Sequence, residues 1–300
     1  MVDLCLGTVQ FGMKYGINNT LGQPSIENSF EMLDIAVEHN IKKIDTAFAY
    51  GTAENILGEF IKKRQLKNKL EIISKLKPNI LEENSNKKPL DIITHELEQS
   101  LSRLNIDILD GYLLHTPSYV HNDYVLEALQ KSKDKGLTKN IGVSIYEIED
   151  GFSAVDSGVV DYIQLPYSIL DQRGEKTQFM QYAKNKGVTI FTRSAFLQGL
   201  ITMDIEKIPD NLSSAKELIN RFRGILDKYD LSVVDGALQY VQSNSNIDYL
   251  VFGVDTKEQL LQNINYFNRG SLNDEFITEI SNSFNNVEKA IIFPSLWSRK

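Results

Sequence analysis

Short apolar runs alternate along this chain with longer stretches whose apolar positions recur every three or four residues. The runs are Leu4–Thr8, Lys43–Asp45, Glu71–Lys75, Ile108–His115, Asn140–Ser144, Tyr162–Leu165, Thr189–Arg193 and Tyr249–Phe252. Their length and aliphatic, β-branched content predict strands. Between them lie Ile26–His39, Ala53–Lys63, Pro89–Leu104, Asp123–Lys135, Ile148–Asp156, Lys176–Lys186, Ser213–Tyr229 and Lys257–Phe267, which read as amphipathic helices. Boundary residues agree: Ser25 stands where a helix cap is wanted, and Gly136 and Gly187 stand just past helix ends. Strict alternation of strand and helix calls for a parallel sheet, and the eightfold count favours a closed (β/α)8 TIM barrel over an open sheet. No linker divides the 300 residues, so residues 1–300 are expected to form a single domain. The Asn-rich segment Asn79–Lys88 is expected as a mouth loop, and Asp274–Lys289 with the tail Ile291–Lys300 as a helix and tail beyond the eightfold pattern.

In such a barrel the C-terminal strand ends converge on one mouth, where the chemistry of the fold is placed. Asp45, Lys75 and His115 each end an apolar run, and Tyr50 lies just beyond Asp45. A histidine in that position is usually a half-buried packing residue. A lysine there is costly to bury unpaired, and Asp45 on the adjacent strand is its natural partner. An acid, a phenol, an amine and an imidazole together can protonate a carbonyl oxygen. Tyr50 would be general acid in reduction and general base in oxidation, with Lys75 drawing the tyrosine pKa down from about 10. Nothing among the four supplies a hydride, so a cofactor is required.

Two other chemistries use the same residues. A Schiff-base aldolase would employ Lys75 as nucleophile, and a dinucleotide-sensing binding protein would show little turnover. A Rossmann fingerprint is absent, and Gly7–Lys14 misses the P-loop pattern because Met13 takes the lysine position and no Ser or Thr follows. A net charge of -8 and a pI near 5.2 argue against nucleic acid or an anionic membrane as partner. No window approaches the ~20 apolar residues of a membrane span. A single cysteine, Cys5, excludes an internal disulfide and a multi-cysteine metal site, and no metal is expected. The N-terminus lacks the features of a secretory signal, which reads as cytoplasmic. The expected partner is a small carbonyl or alcohol, with the chain a monomer or weak homo-oligomer.

Several motifs resemble the aldo-keto reductase superfamily over nearly the whole chain. LGTVQFG at 6–12 is similar to its first strand and turn, with Thr8 toward the cofactor, and IDTAFAYGTAENILGEFI at 44–61 is similar to its long signature. SKLKP at 74–78 and LDGYLLH at 109–115 carry its lysine and histidine. The resemblance implies a catalytic tetrad of Asp45, Tyr50, Lys75 and His115 and an NAD(P)H cofactor. IGVSIY at 141–146 would put Ser144 on the nicotinamide carboxamide, with Ile145 in place of the usual asparagine, and Gln164 on the same group. In FTRSAFLQGLI at 191–201, Arg193 replaces the aromatic that normally stacks on the nicotinamide, and Ser194, Leu197 and Gly199 would follow the pyrophosphate. VFGVDTKEQLLQNI at 251–264 would set Asn263 on adenine. Gly253, Asp255 and Gln259 stand there at positions that often carry a cation for the 2′-phosphate of NADP. YGINNTLGQPS at 15–25 resembles reductases of bacterial surface-sugar biosynthesis, which implies a polar, sugar-like carbonyl. Tyr15, Tyr119 and Trp297 are candidate stacking faces for it.

Overall fold

All eight apolar runs become strands in the computed structural model, which describes residues 2–269 and 273–297. They are β1 (Asp3–Gly7), β2 (Lys43–Asp45), β3 (Glu71–Lys75), β4 (Leu109–Leu114), β5 (Thr138–Ser144), β6 (Tyr162–Pro166), β7 (Thr189–Arg193) and β8 (Tyr249–Phe252). Each pairs in parallel with the next, and β8 pairs with β1, so the sheet closes into a barrel. His115 lies one residue beyond β4.

Alternation along each strand separates two cores. Inside the barrel, Cys5, Ile73, Leu113, Tyr162, Phe191 and Val251 form their own cluster, whereas Ile44, Ile72, Tyr112 and Ile163 face the surrounding helices. On β2 the two inward positions are both charged. Lys43 closes the N-terminal end of the barrel: its Nζ donates to Asp110 Oδ2 at 2.6 Å and lies 4.8 Å from the centre of the Tyr249 ring. Glu71 lies 2.7 Å from the same nitrogen. Asp45 faces the opposite end, with the apolar cluster between.

The helices follow the sequence reading with two differences. The predicted helix Lys176–Lys186 is split into Arg173–Lys176 and Phe179–Asn185. Between β7 and β8, besides short helical turns, there are two α-helices, Ser214–Lys228 and Val233–Ser243, where one was expected. The helix missed from sequence is the one that leads into β8. Every residue from Asp235 to Val241 is buried, including the polar Asp235 and Gln239, whose side chains satisfy one another: Gln239 Nε2 donates to Asp235 Oδ1 at 2.9 Å. The start of this helix is capped by the Ser232 hydroxyl, which accepts from the Asp235 amide.

The mouth loop contains a short helix, Ile80–Glu83, and the appended helix spans Asp274–Ser283. The following segment runs to the mouth. Lys289 pairs with Glu147 at 2.8 Å, and Arg173 lies over the Phe293 ring at 4.5 Å. Trp297 is buried, and its indole donates to the Ile291 carbonyl at 3.1 Å. It pins the tail and offers no stacking face, contrary to the sequence reading. Of the predicted tail, residues 298–300 lie outside the described residues.

Breaking a buried ion pair by removing one partner typically costs about 3–5 kcal/mol, because the remaining charge is stranded. Lys43→Met is therefore expected to destabilise the protein by about that amount in denaturant unfolding. The double variant Lys43→Met/Asp110→Leu is expected to recover most of the loss. A single variant as stable as wild type would contradict the role given to this pair.

Candidate active site

Lys75 is the most constrained polar side chain at the mouth, with no exposed surface. Its Nζ donates to Asp45 Oδ1 at 2.6 Å and to the Thr46 carbonyl at 2.9 Å. The same carboxylate oxygen accepts from Gln164 Nε2 at 2.7 Å, and the Ser144 hydroxyl donates to Gln164 Oε1 at 3.3 Å. Asp45, Lys75, Gln164 and Ser144 thus form one buried chain across β2, β3, β5 and β6. Gln164 was read from sequence as a cofactor contact; here its amide braces Asp45. A Schiff-base lysine must reach its substrate as a free amine. Lys75 is enclosed and committed to two acceptors, so the aldolase alternative loses its nucleophile.

Tyr50 sits above this chain, with Lys75 Nζ 5.0 Å from its ring centre. Its loop is fixed by a close approach: a Cβ on Gly12 would lie 1.7 Å from the Tyr50 carbonyl oxygen, so only glycine lets the two segments meet. The His115 ring packs edge-on to Tyr50 with centroids 5.9 Å apart. Burial raises the Tyr50 hydroxyl well above the usual phenol range, Asp45 adds to this, and Arg193 opposes it. This corrects the expectation that Lys75 would draw the value down: the lysine charge is matched by Asp45, and Tyr50 holds its proton. His115 is driven the other way, to about 3, by burial first and then by Lys75 and Arg193. Its imidazole is neutral, and Nδ1 is buried without a hydrogen-bond partner.

A cleft of about 380 Å³ runs from Tyr50 across the barrel mouth. Thr8, Arg193, Ser194, Leu197, Gly199, Gly253, Asp255, Gln259 and Asn263 all line it, with Asp45 and Tyr50 at one end. Ser144, Gln164, Lys75 and His115 are not part of its lining. The residues present fit an elongated dinucleotide. Ser194, Leu197 and Gln198 hold left-handed backbone at φ of 68°, 47° and 53°, a conformation that costs energy and concentrates at ligand sites. Gln10 Oε1 is buried without a partner, and it lies where a Cβ on Gly253 would come within 2.3 Å. Arg193 stacks on Tyr146 at 4.3 Å and donates to the Ile145 carbonyl at 3.1 Å. Asp255 accepts from Asn19 Nδ2 at 3.0 Å, and its carboxyl is raised above the usual range by burial. Lys257 points away and pairs with Glu31 at 3.0 Å.

Sequence reasoning missed Gln10, Asn18, Asn19 and Gln198 in the cleft wall. None belongs to a long periodic pattern: Gln10 sits on the one-turn helix Val9–Gly12, Gln198 in the turn Leu197–Gly199, and Asn18 and Asn19 in the loop after that helix. Of the proposed stacking faces, Tyr15 lines the cleft. Tyr119 is buried, its hydroxyl bonded to Glu82 and to the Leu81 amide, so it clamps two mouth loops together. Among the described residues, no cluster of three or more His, Cys, Asp or Glu could hold a metal ion, and no helix is long and apolar enough to cross a membrane.

Residues 3–284 match the model of the aldo/keto reductase family. The chain belongs to that family. Its members are NAD(P)-dependent oxidoreductases that act on carbonyls, and this chain is an enzyme of that class. Aldo-keto reductase YhdN of Bacillus subtilis is 31% identical over 198 residues, 63% of this chain and 58% of that protein. NADH-specific methylglyoxal reductase of Escherichia coli is 23% identical over 254 residues, 75% of this chain and 78% of that enzyme. The holo form of aldo-keto reductase AKR11C1 from Bacillus halodurans shares the fold at a TM-score of 0.77 and 20% identity, with 97% of this chain and 95% of that one covered. These relatives' names carry no link to surface sugars.

For His115 the direction of linkage is set by a folded pKa below the unfolded value of about 6.5. The buried neutral ring contributes stability fully above about pH 6.5, and this contribution is lost as pH falls toward the folded value of about 3. Proton NMR of the His115 ring is expected to show the neutral form down to about pH 4. A midpoint near the ordinary imidazole value would refute the geometry described.

Proposed function

We propose that this aldo/keto reductase reduces a small polar carbonyl with Tyr50 as the proton donor. The observation that carries the reading is the packing of the Tyr50 ring edge-on to His115, directly above the buried Asp45–Lys75 pair. A neutral imidazole can donate one hydrogen bond to the carbonyl oxygen and orient it. As that oxygen gains charge, Tyr50 transfers its proton. The phenolate left behind is met by the positive charge of Arg193, which already opposes the upward shift of the Tyr50 hydroxyl. Asp45, Gln164 and Ser144 hold Lys75 in place. A nicotinamide dinucleotide, when bound, supplies the hydride; Thr8, Arg193, Ser194, Leu197, Gly199, Gly253 and Asn263 are the residues that would hold it. The resemblance of residues 15–25 to sugar-acting reductases supports a hydroxylated aldehyde or ketone as substrate.

The adenosine end supports NADH as a cofactor accepted at least as well as NADPH. A carboxylate at 255 opposes a 2′-phosphate and can accept from ribose hydroxyls. Gln259 Oε1 is occupied by the Asp255 amide at 2.8 Å, and Lys257 is engaged by Glu31. The name of the Escherichia coli relative, an NADH-specific reductase, points the same way.

Tyr50→Phe keeps the ring and removes the proton. Turnover on a good aldehyde is expected to fall by about 10²–10⁴-fold, with the dinucleotide dissociation constant close to that of wild type. Near-normal turnover would sink the assignment.

Asp255→Arg removes repulsion and adds a charge-assisted donor, which is expected to shift preference toward NADPH by about 1.5–3 kcal/mol. The ratio of the two dissociation constants measures this. Tight NADPH binding by wild type, unmoved by the exchange, would place the phosphate elsewhere.

A further inference from the structure

The segment from Tyr15 to Gly22 crosses the cleft and touches both loops that line its far side. Its Ile17 amide donates to the Gln198 carbonyl at 3.0 Å, and a Cβ on Gly199 would come within 2.7 Å of Asn18 Cβ. Further along, Asn19 is buried and its side chain makes three hydrogen bonds. Its Nδ2 donates to Asp255 Oδ1 at 3.0 Å and to the Gly22 carbonyl at 3.1 Å, while its Oδ1 accepts from the Gly22 amide at 2.7 Å. Gln23 then donates to the Phe11 carbonyl at 2.7 Å and returns the strand of chain to the barrel. Asn19 thus holds Asp255 Oδ1, Oδ2 has no hydrogen-bond partner among the described residues, and Asp255 lines the cleft. Tyr15, at the opposite end of the same segment, lines the cleft with Tyr50 and Arg193.

We propose that Asn19 is a positioning residue for the dinucleotide: it orients Asp255 toward the adenosine ribose and latches residues 15–22 over the cleft. The proposal rests on the reading of Asp255 given above. One side chain thereby couples the nucleotide-selecting carboxylate to the wall of the carbonyl site. Exchange of the nucleotide requires the Asn19–Asp255 contact to open.

Asn19→Asp separates the two jobs of this side chain. The aspartate still accepts from the Gly22 amide, so the turn is kept, but it faces Asp255 with a like charge. NADH dissociation, followed by nicotinamide fluorescence in stopped flow, is expected to accelerate by about tenfold or more, the scale of a hydrogen bond to a charged group. The ratio of NADPH to NADH dissociation constants is expected to move toward one. Asn19→Ala is expected to act in the same direction. Tyr124→Ser, at a 74% exposed position outside this segment and the cleft lining, is expected to leave both quantities unchanged. Dissociation at the wild-type rate in both Asn19 variants, with melting temperatures showing them folded, overturns the latch. If wild type prefers NADH and the variants leave that preference intact, the positioning role alone fails. A wild type that binds NADPH far more tightly overturns the reading of Asp255 itself.

Discussion

A lysine with no exposed surface can be tolerated only where its charge is met at once and at close range. At the mouth of this barrel that condition is satisfied by Asp45 and the Thr46 carbonyl, and most of the site is organised around it. Gln164 and Ser144 extend the chain of contacts to the far side of the barrel, so the pair is braced from β5 and β6 as well as from β2 and β3. Tyr50 is set above the lysine by the Gly12 contact. His115 owes part of its neutrality to the same cation. Such a pair adds little to stability over a well-packed apolar substitute. Its value lies in fixing where charge is found when a carbonyl oxygen begins to accumulate it.

The barrel was legible because its strands are buried on both faces and therefore read as nearly continuous apolar runs. The miss at Val233–Ser243 has another cause: Asp235, Gln239 and Gln242 recur at helical spacing, but Val233-Val234 and Gly236 weaken the helix propensity of the segment. The site was legible where chemistry sits at strand ends, as with Asp45, Lys75 and His115. It was not legible where a value depends on burial. The acidity of Tyr50 was judged from its neighbour's charge alone, whereas desolvation and Asp45 dominate. Contacts between distant loops were equally hidden. Asn19 and Asp255 are 236 positions apart, and no local pattern links them. The bond from Gln164 to Asp45 was hidden likewise, because sequence gives a side chain's address and not the direction of its amide.

The two inward charges of β2 divide the barrel into zones. Lys43 is balanced by Asp110 and Glu71 at one end, Asp45 by Lys75 at the other, and the cluster of Cys5, Ile73, Leu113 and Phe191 separates them. Lys139, 4.0 Å from Asp110, brings the first layer to two cations against two carboxylates, and the Asp45–Lys75 pair is matched one to one, so neither depends on long-range compensation through the apolar layer. Arg193 is the exception at the mouth. It rests on Tyr146 and a backbone carbonyl with no carboxylate partner among the described residues, and its positive charge bears on both Tyr50 and His115.

The plug of Lys43 and aromatic rings at the N-terminal end also makes the barrel a cup. With the interior packed by side chains, there is no back door along its axis. Whatever reaches the floor beside Tyr50 must come and go through the same doorway, past whatever already occupies the rim. Traffic in a vessel with one opening is last in, first out.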